Sequence, residues 1–162
     1  MLNLVQAPVA QPDTALPEVA LRTNRLRLAK RLWRGRADDG AEFGFELPAP
    51  LSDGAVIWQT SSARYVLRQE AEPVLEISLA VAPSAAAGIG WALGNLHLEL
   101  SAEPARLLAP DDPAARQLLE RIKVPYRPAT AVFRPGRFAR GNQQPHELGQ
   151  ATDLEKRPGT EG

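Results

Sequence analysis

Residues 74–101 read VLEISLAVAPSAAAGIGWALGNLHLELS, and this stretch decides how the second half of the chain folds. VLEISLAV is rich in branched apolar residues and predicts a strand. Pro83 then stands where the first turn of a helix accepts proline, so PSAAAGIGWAL predicts a short helix. Gly94-Asn95 ends it, because both residues tolerate the left-handed conformation of a helix C-terminus. LHLELS returns to alternation, with Leu96, Leu98 and Leu100 on one face of a strand and His97 and Glu99 on the other. Working onward, ARLLAP (105–110) is a further extended piece. Asp112-Pro113 caps and opens a second helix, in which Ala115, Leu118, Leu119 and Ile122 keep helical spacing. YRPATAVF (126–133) closes the series. The order β-α-β-β-α-β is that of a ferredoxin-like domain, assigned to residues 73–140.

Working backward, RLRLAKRLWRGR (25–36), EFGFEL (42–47), AVIWQT (55–60) and RYVLRQE (64–70) are read as strands separated by turns. Phe43, Phe45 and Leu47 share one face of the second strand. Asp39-Gly40 and Asp53-Gly54 supply the positive φ that tight turns need. Residues 21–72 are therefore expected to form a small all-β domain, with the boundary near Glu72-Pro73, and the fold class is α+β. Residues 1–20, rich in proline and alanine, are expected to be a flexible extension. Residues 141–162 are nearly devoid of apolar side chains and are expected to be a disordered tail.

The chain has 162 residues, and its nineteen basic and nineteen acidic residues cancel. No broad positive field draws in nucleic acid or an anionic membrane, and the candidate strands VLEISLAV and LHLELS offer no exposed aromatics for stacking RNA bases. The N-terminal stretch lacks the basic region of a secretory signal, and no apolar run approaches the roughly 20 residues that span a bilayer. A cytoplasmic protein is expected. With no cysteine, disulfides and thiolate metal sites are excluded, and a transition metal would be held by imidazole, carboxylate, backbone or water. The sequence has no nucleophile constellation, nucleotide loop or dinucleotide fingerprint, and an enzyme is not expected.

Only two histidines are present, His97 and His146. From local pattern alone, His97 is either a solvated surface residue or a ligand projecting beside Glu99. His146 is either a residue of a loose tail or a ligand that tail closure brings in. Asp111 and Asp112 read as helix-capping residues or weak oxygen ligands. Arg22, Arg25, Arg27, Lys30, Arg31, Arg34 and Arg36 form either a solvated strand face or a docking surface for an acidic partner. Trp33, Trp58 and Trp91 are expected in cores or interfaces.

Several separated stretches, taken in order, resemble the UreE family of urease accessory proteins. These are Arg34-Gly35-Arg36, Asp39-Gly40 with Glu42 and Gly44, Leu47-Pro48, Leu51 with Asp53-Gly54, Glu72-Pro73-Val74-Leu75-Glu76, Trp91 to His97, and Val124-Pro125-Tyr126-Arg127-Pro128. They cover about residues 25 to 135. The resemblance implies a nickel-binding metallochaperone that delivers Ni(II) to the urease activation complex, with a partner-binding N-terminal domain and a ferredoxin-like C-terminal one. It implies that His97 is a metal ligand at the two-fold interface of a homodimer, with a urease accessory GTPase and the urease apoprotein complex as partners. One histidine per chain then makes a pair by symmetry, and His146 is the other histidine able to complete the shell. Imidazole also accepts Zn(II) and Cu(II). The chain departs from the family at Ala92, Leu96 and Ala109-Pro110-Asp111-Asp112, where members carry further histidines or polar residues, and it lacks a histidine-rich tail. The alternative reading is a two-domain protein-interaction adaptor with a weak or lost metal site.

Overall fold

Alternating apolar residues along EFGFE build the centre of the first sheet. The computed structural model describes residues 1–139 and 145–147, with side chains described through residue 136. The chain divides into two compact units, Met1–Ala71 and Glu72–Gly162.

In the first unit, β1 (Leu2–Val5) runs parallel to β4 (Glu42–Glu46), and β3 (Leu32–Arg36) runs antiparallel on its other side. A second sheet has β2 (Glu18–Thr23) parallel to β6 (Arg64–Gln69) and β5 (Val56–Gln59) antiparallel to β6. Val5, Leu21, Phe43, Phe45, Ile57 and Leu67 form the shared core. Each such burial contributes roughly 1.5–3 kcal/mol. Trp33 stacks on Phe45 with ring centroids 3.9 Å apart, and Tyr65 packs beside Phe43. Gly40 and Gly54 adopt positive φ, as their turns require.

Two expectations for this unit are corrected. Residues 1–20 are not a loose extension, since β1 adds a strand and buries Val5, and Val9 N–H donates to Val56 O at 2.8 Å. Nor is residues 25–36 one strand, or the unit all-β. Asn24 Oδ1 accepts from Arg27 N–H at 2.8 Å and caps a single-turn helix, α1 (Arg25–Leu28), which buries Leu28 before β3 begins.

The second unit contains β7 (Glu72–Ser78), α2 (Pro83–Asn95), β8 (Ser101–Ala102), β9 (Arg106–Pro110), α3 (Pro113–Arg121) and β10 (Arg127–Ala131). All its pairings are antiparallel, in the order β10-β7-β9-β8. Leu75 and Ile77 of β7, Leu107 and Ala109 of β9, Ile89 and Leu93 of α2, and Ala115, Leu118 and Leu119 of α3 form one core, which puts both helices on the same sheet face. Val74, Leu108 and Phe133 bury the opposite face. Across it Glu76 accepts from Arg106 and Arg127, both at 2.9 Å. A short ribbon pairs β11 (Arg137–Ala139) with β12 (Pro145–Glu147). Of the expected tail, Pro145–Glu147 is thus strand, and residues 141–144 and 148–162 lie outside the described residues. The chain is an α+β protein with three helices among its described residues. None is long and apolar enough to cross a membrane.

Candidate metal centre

The expected strand LHLELS shrinks to Ser101–Ala102, and His97 is in no strand. Helix α2 runs through Asn95, Leu96 is its C-cap, and His97 takes the left-handed conformation at φ 56°. His97 N–H donates to Gly94 O at 2.9 Å, and Leu98 N–H donates to Leu93 O at 3.2 Å. This pair of bonds is a Schellman motif with histidine at the position that glycine usually holds. Leu98 packs against the cluster containing Leu93, which fixes where the motif forms. Lys123 ends α3 in the same way at φ 56°, with its N–H bonded to Glu120 O and that of Val124 to Leu119 O.

Period-two facing therefore does not apply to residues 96–100. Leu98 and Leu100 are partly buried against the core, whereas Leu96 is exposed beside an exposed His97. The surface they adjoin is unusual. Helix α2, PSAAAGIGWALGN, has no charged residue, buries only Ile89 and Leu93, and leaves Trp91 72% exposed. Trp91 is thus not a core residue of this chain, unlike Trp33 and Trp58, which pack on the first unit's core.

Among the described residues no group of three or more His, Asp or Glu is placed to hold a metal ion. One imidazole is what a single described chain offers at His97. Asp111 and Asp112, the candidate oxygen ligands, are otherwise engaged. Asp112 Oδ1 caps α3 by accepting from Ala114 N–H at 2.7 Å. Asp111 is gripped by both Nε and Nη2 of Arg116, which holds its carboxyl below the usual carboxylate range. The backbone of His146 lies in β12 opposite Phe138. Sequence reasoning missed the left-handed His97. Its signal is the five-residue spacing of Leu93 and Leu98, repeated by Leu119 and Val124.

The family model described as the C-terminal domain of the UreE urease accessory protein matches residues 72–156. A urease accessory protein UreE from Bifidobacterium longum subsp. infantis is 32% identical over 93 residues, which is 57% of this chain and 42% of that protein. One from Deinococcus radiodurans is 32% identical over 131 residues, 79% of this chain and 82% of the relative. The chain therefore matches less than half the length of the first relative and most of the second.

Proposed function

The chain belongs to the UreE family of urease accessory proteins, and on that premise we propose that it is a nickel metallochaperone delivering Ni(II) to the urease activation complex. It is an accessory protein and not an enzyme. The observation that carries the metal reading is His97 itself. A histidine kept in a left-handed cap, exposed, at the end of an uncharged helix, is costly locally and well placed for a shared ligand.

The sheet order β10-β7-β9-β8, with α2 and α3 on one face, supports a ferredoxin-like second domain; the first domain would be the partner-binding one. A two-fold axis beside α2 would cover Trp91 and bring two copies of His97 together. Two neutral imidazoles suit Ni(II), and also Zn(II) or Cu(II), and coordination competes with their protonation. His146 from either chain would add further nitrogen. Handover would proceed in the cytoplasm to the accessory GTPase and the urease apoprotein complex.

Calorimetric titration of the full chain with Ni(II) tests this. About one ion per dimer is expected, with binding lost in His97→Ala and weakened in His146→Ala. No binding, or binding that His97→Ala leaves unchanged, ends the carrier reading and leaves the interaction adaptor.

A further inference from the structure

We propose that the outer face of the β1-β4-β3 sheet, with α1, is a docking surface for an acidic, leucine-containing protein segment. This inference does not rest on the metal reading.

Phe43 and Phe45 of β4 point into the core, so Glu42, Gly44 and Glu46 face outward. The register places Leu2 and Leu4 of β1 on one side of them and Arg36, Arg34 and Leu32 of β3 on the other. Leu2 lies over Gly44, where an added Cβ would meet Leu2 Cδ2 at 3.2 Å. Leu2, Leu4 and Leu32 are nonetheless 43%, 52% and 70% exposed. The exposed large apolar residues of the first unit, Met1 and Leu26 included, all lie in or beside β1, α1 and β3. Such clustering is not the scatter of single apolar residues that any surface shows.

Charge is concentrated on the same ground. A groove of about 370 Å³ is lined by Leu2, Arg27, Arg34, Gly35, Arg36 and Glu42. A depression of about 490 Å³ is lined by Lys30, Arg31, Leu32 and Leu47. Of these groups Arg36 is paired to Glu42 at 2.7 Å. Among the described residues Arg27, Lys30 and Arg31 have no carboxylate partner. In a chain whose net charge is zero, this excess is local patterning.

Guanidinium groups beside leucines select carboxylates flanked by apolar side chains, since the fork binds the carboxylate while the leucines bury its neighbours. A single-stranded nucleic acid fits less well. The aromatic rings of this sheet, Trp33, Phe43 and Phe45, belong to the core and leave no stacking platform.

The test measures fluorescence anisotropy of a labelled glutamate-rich peptide interspersed with leucines on the full chain, against the same peptide with lysine for glutamate. Binding of the acidic peptide, weakened by salt and reduced about tenfold or more by Arg27→Glu with Arg34→Glu, is expected. Leu4→Ser should also weaken it, and nickel titration and thermal unfolding of the variants should match wild type. Equal binding of the lysine peptide, no binding, or indifference to charge reversal overturns the proposal. Preference for an oligonucleotide or an anionic vesicle over the peptide overturns it too.

Discussion

His97 and Lys123 hold the same left-handed position at the ends of two helices, yet neither is glycine. A side chain there costs about 1 kcal/mol relative to glycine. His97→Gly should therefore stabilise the second unit by about that amount, read as a higher urea midpoint, whereas His97→Ala should not. Both should abolish nickel binding, so stability and affinity would move in opposite directions in the glycine variant. Lys123→Gly is the control, expected to stabilise with nickel titration unchanged. A glycine variant no more stable than wild type would remove the argument that His97 is kept at a local cost. The sequence marked the helix end through Gly94-Asn95, but the cap falls at Leu96 and the left-handed residue is the histidine. Hydrophobic contact decided the point: Leu98 reaches back to the cluster around Leu93, and the backbone turns where that contact closes.

EFGFE, whose large apolar residues alternate, was legible because period two is a direct consequence of pleating, and RYVLRQ was legible as a short aromatic and branched apolar run. The short elements were not. LNLV alternates over only four residues, and RLRL reads as strand until Asn24 and the buried Leu28 turn it into a helical turn. Gly35 shows what close sheet packing demands. An added Cβ would meet Leu21 Cδ2 and Trp33 Cζ3, both at 2.9 Å, and neither can yield, since Leu21 is fully buried and Trp33 is stacked on Phe45. Gly35→Ala should cost about 1–3 kcal/mol in chemical denaturation. A neutral effect would mean that the first core is looser than drawn. Between strands, arginines lower the carboxyl pKa of Glu18, through Arg68, and of Glu76, through Arg127 and Arg106. The fold favours the charged form of these groups, so their contribution is complete above the ordinary carboxylate range and is lost as pH falls through the lower native values. Stability should therefore be level from neutrality down to about pH 5 and fall below about pH 4. Glu18→Gln with Glu76→Gln should flatten that acid limb in pH-dependent melts; an unchanged limb would assign it to other groups.

At the scale of the molecule, a neutral chain divides its surfaces sharply. Basic and apolar residues share one face of the first unit, and α2 in the second carries no charge at all. Composition averages hide both features. The first emerges only when register assigns residues to faces, and the second once the bounds of α2 are fixed. Gly88, Gly90 and Gly94 of α2 have nothing within 4 Å of where a Cβ would stand, so this chain's own packing does not require them to be glycine. Each glycine weakens an isolated helix by about 1 kcal/mol relative to alanine. A second copy of α2 approaching closely would account for both the missing side chains and the exposed Trp91, and the same approach would join the two His97 imidazoles. Trp91→Asp puts a charge at the centre of that contact without disturbing the chain's own core. The variant should sediment as a monomer, keep its circular dichroism and melting temperature per protomer, and lose tight nickel binding although both histidines remain. His97→Ala should also lose nickel but stay dimeric. If Trp91→Asp remains dimeric and binds nickel as wild type does, the shared site lies elsewhere than on α2.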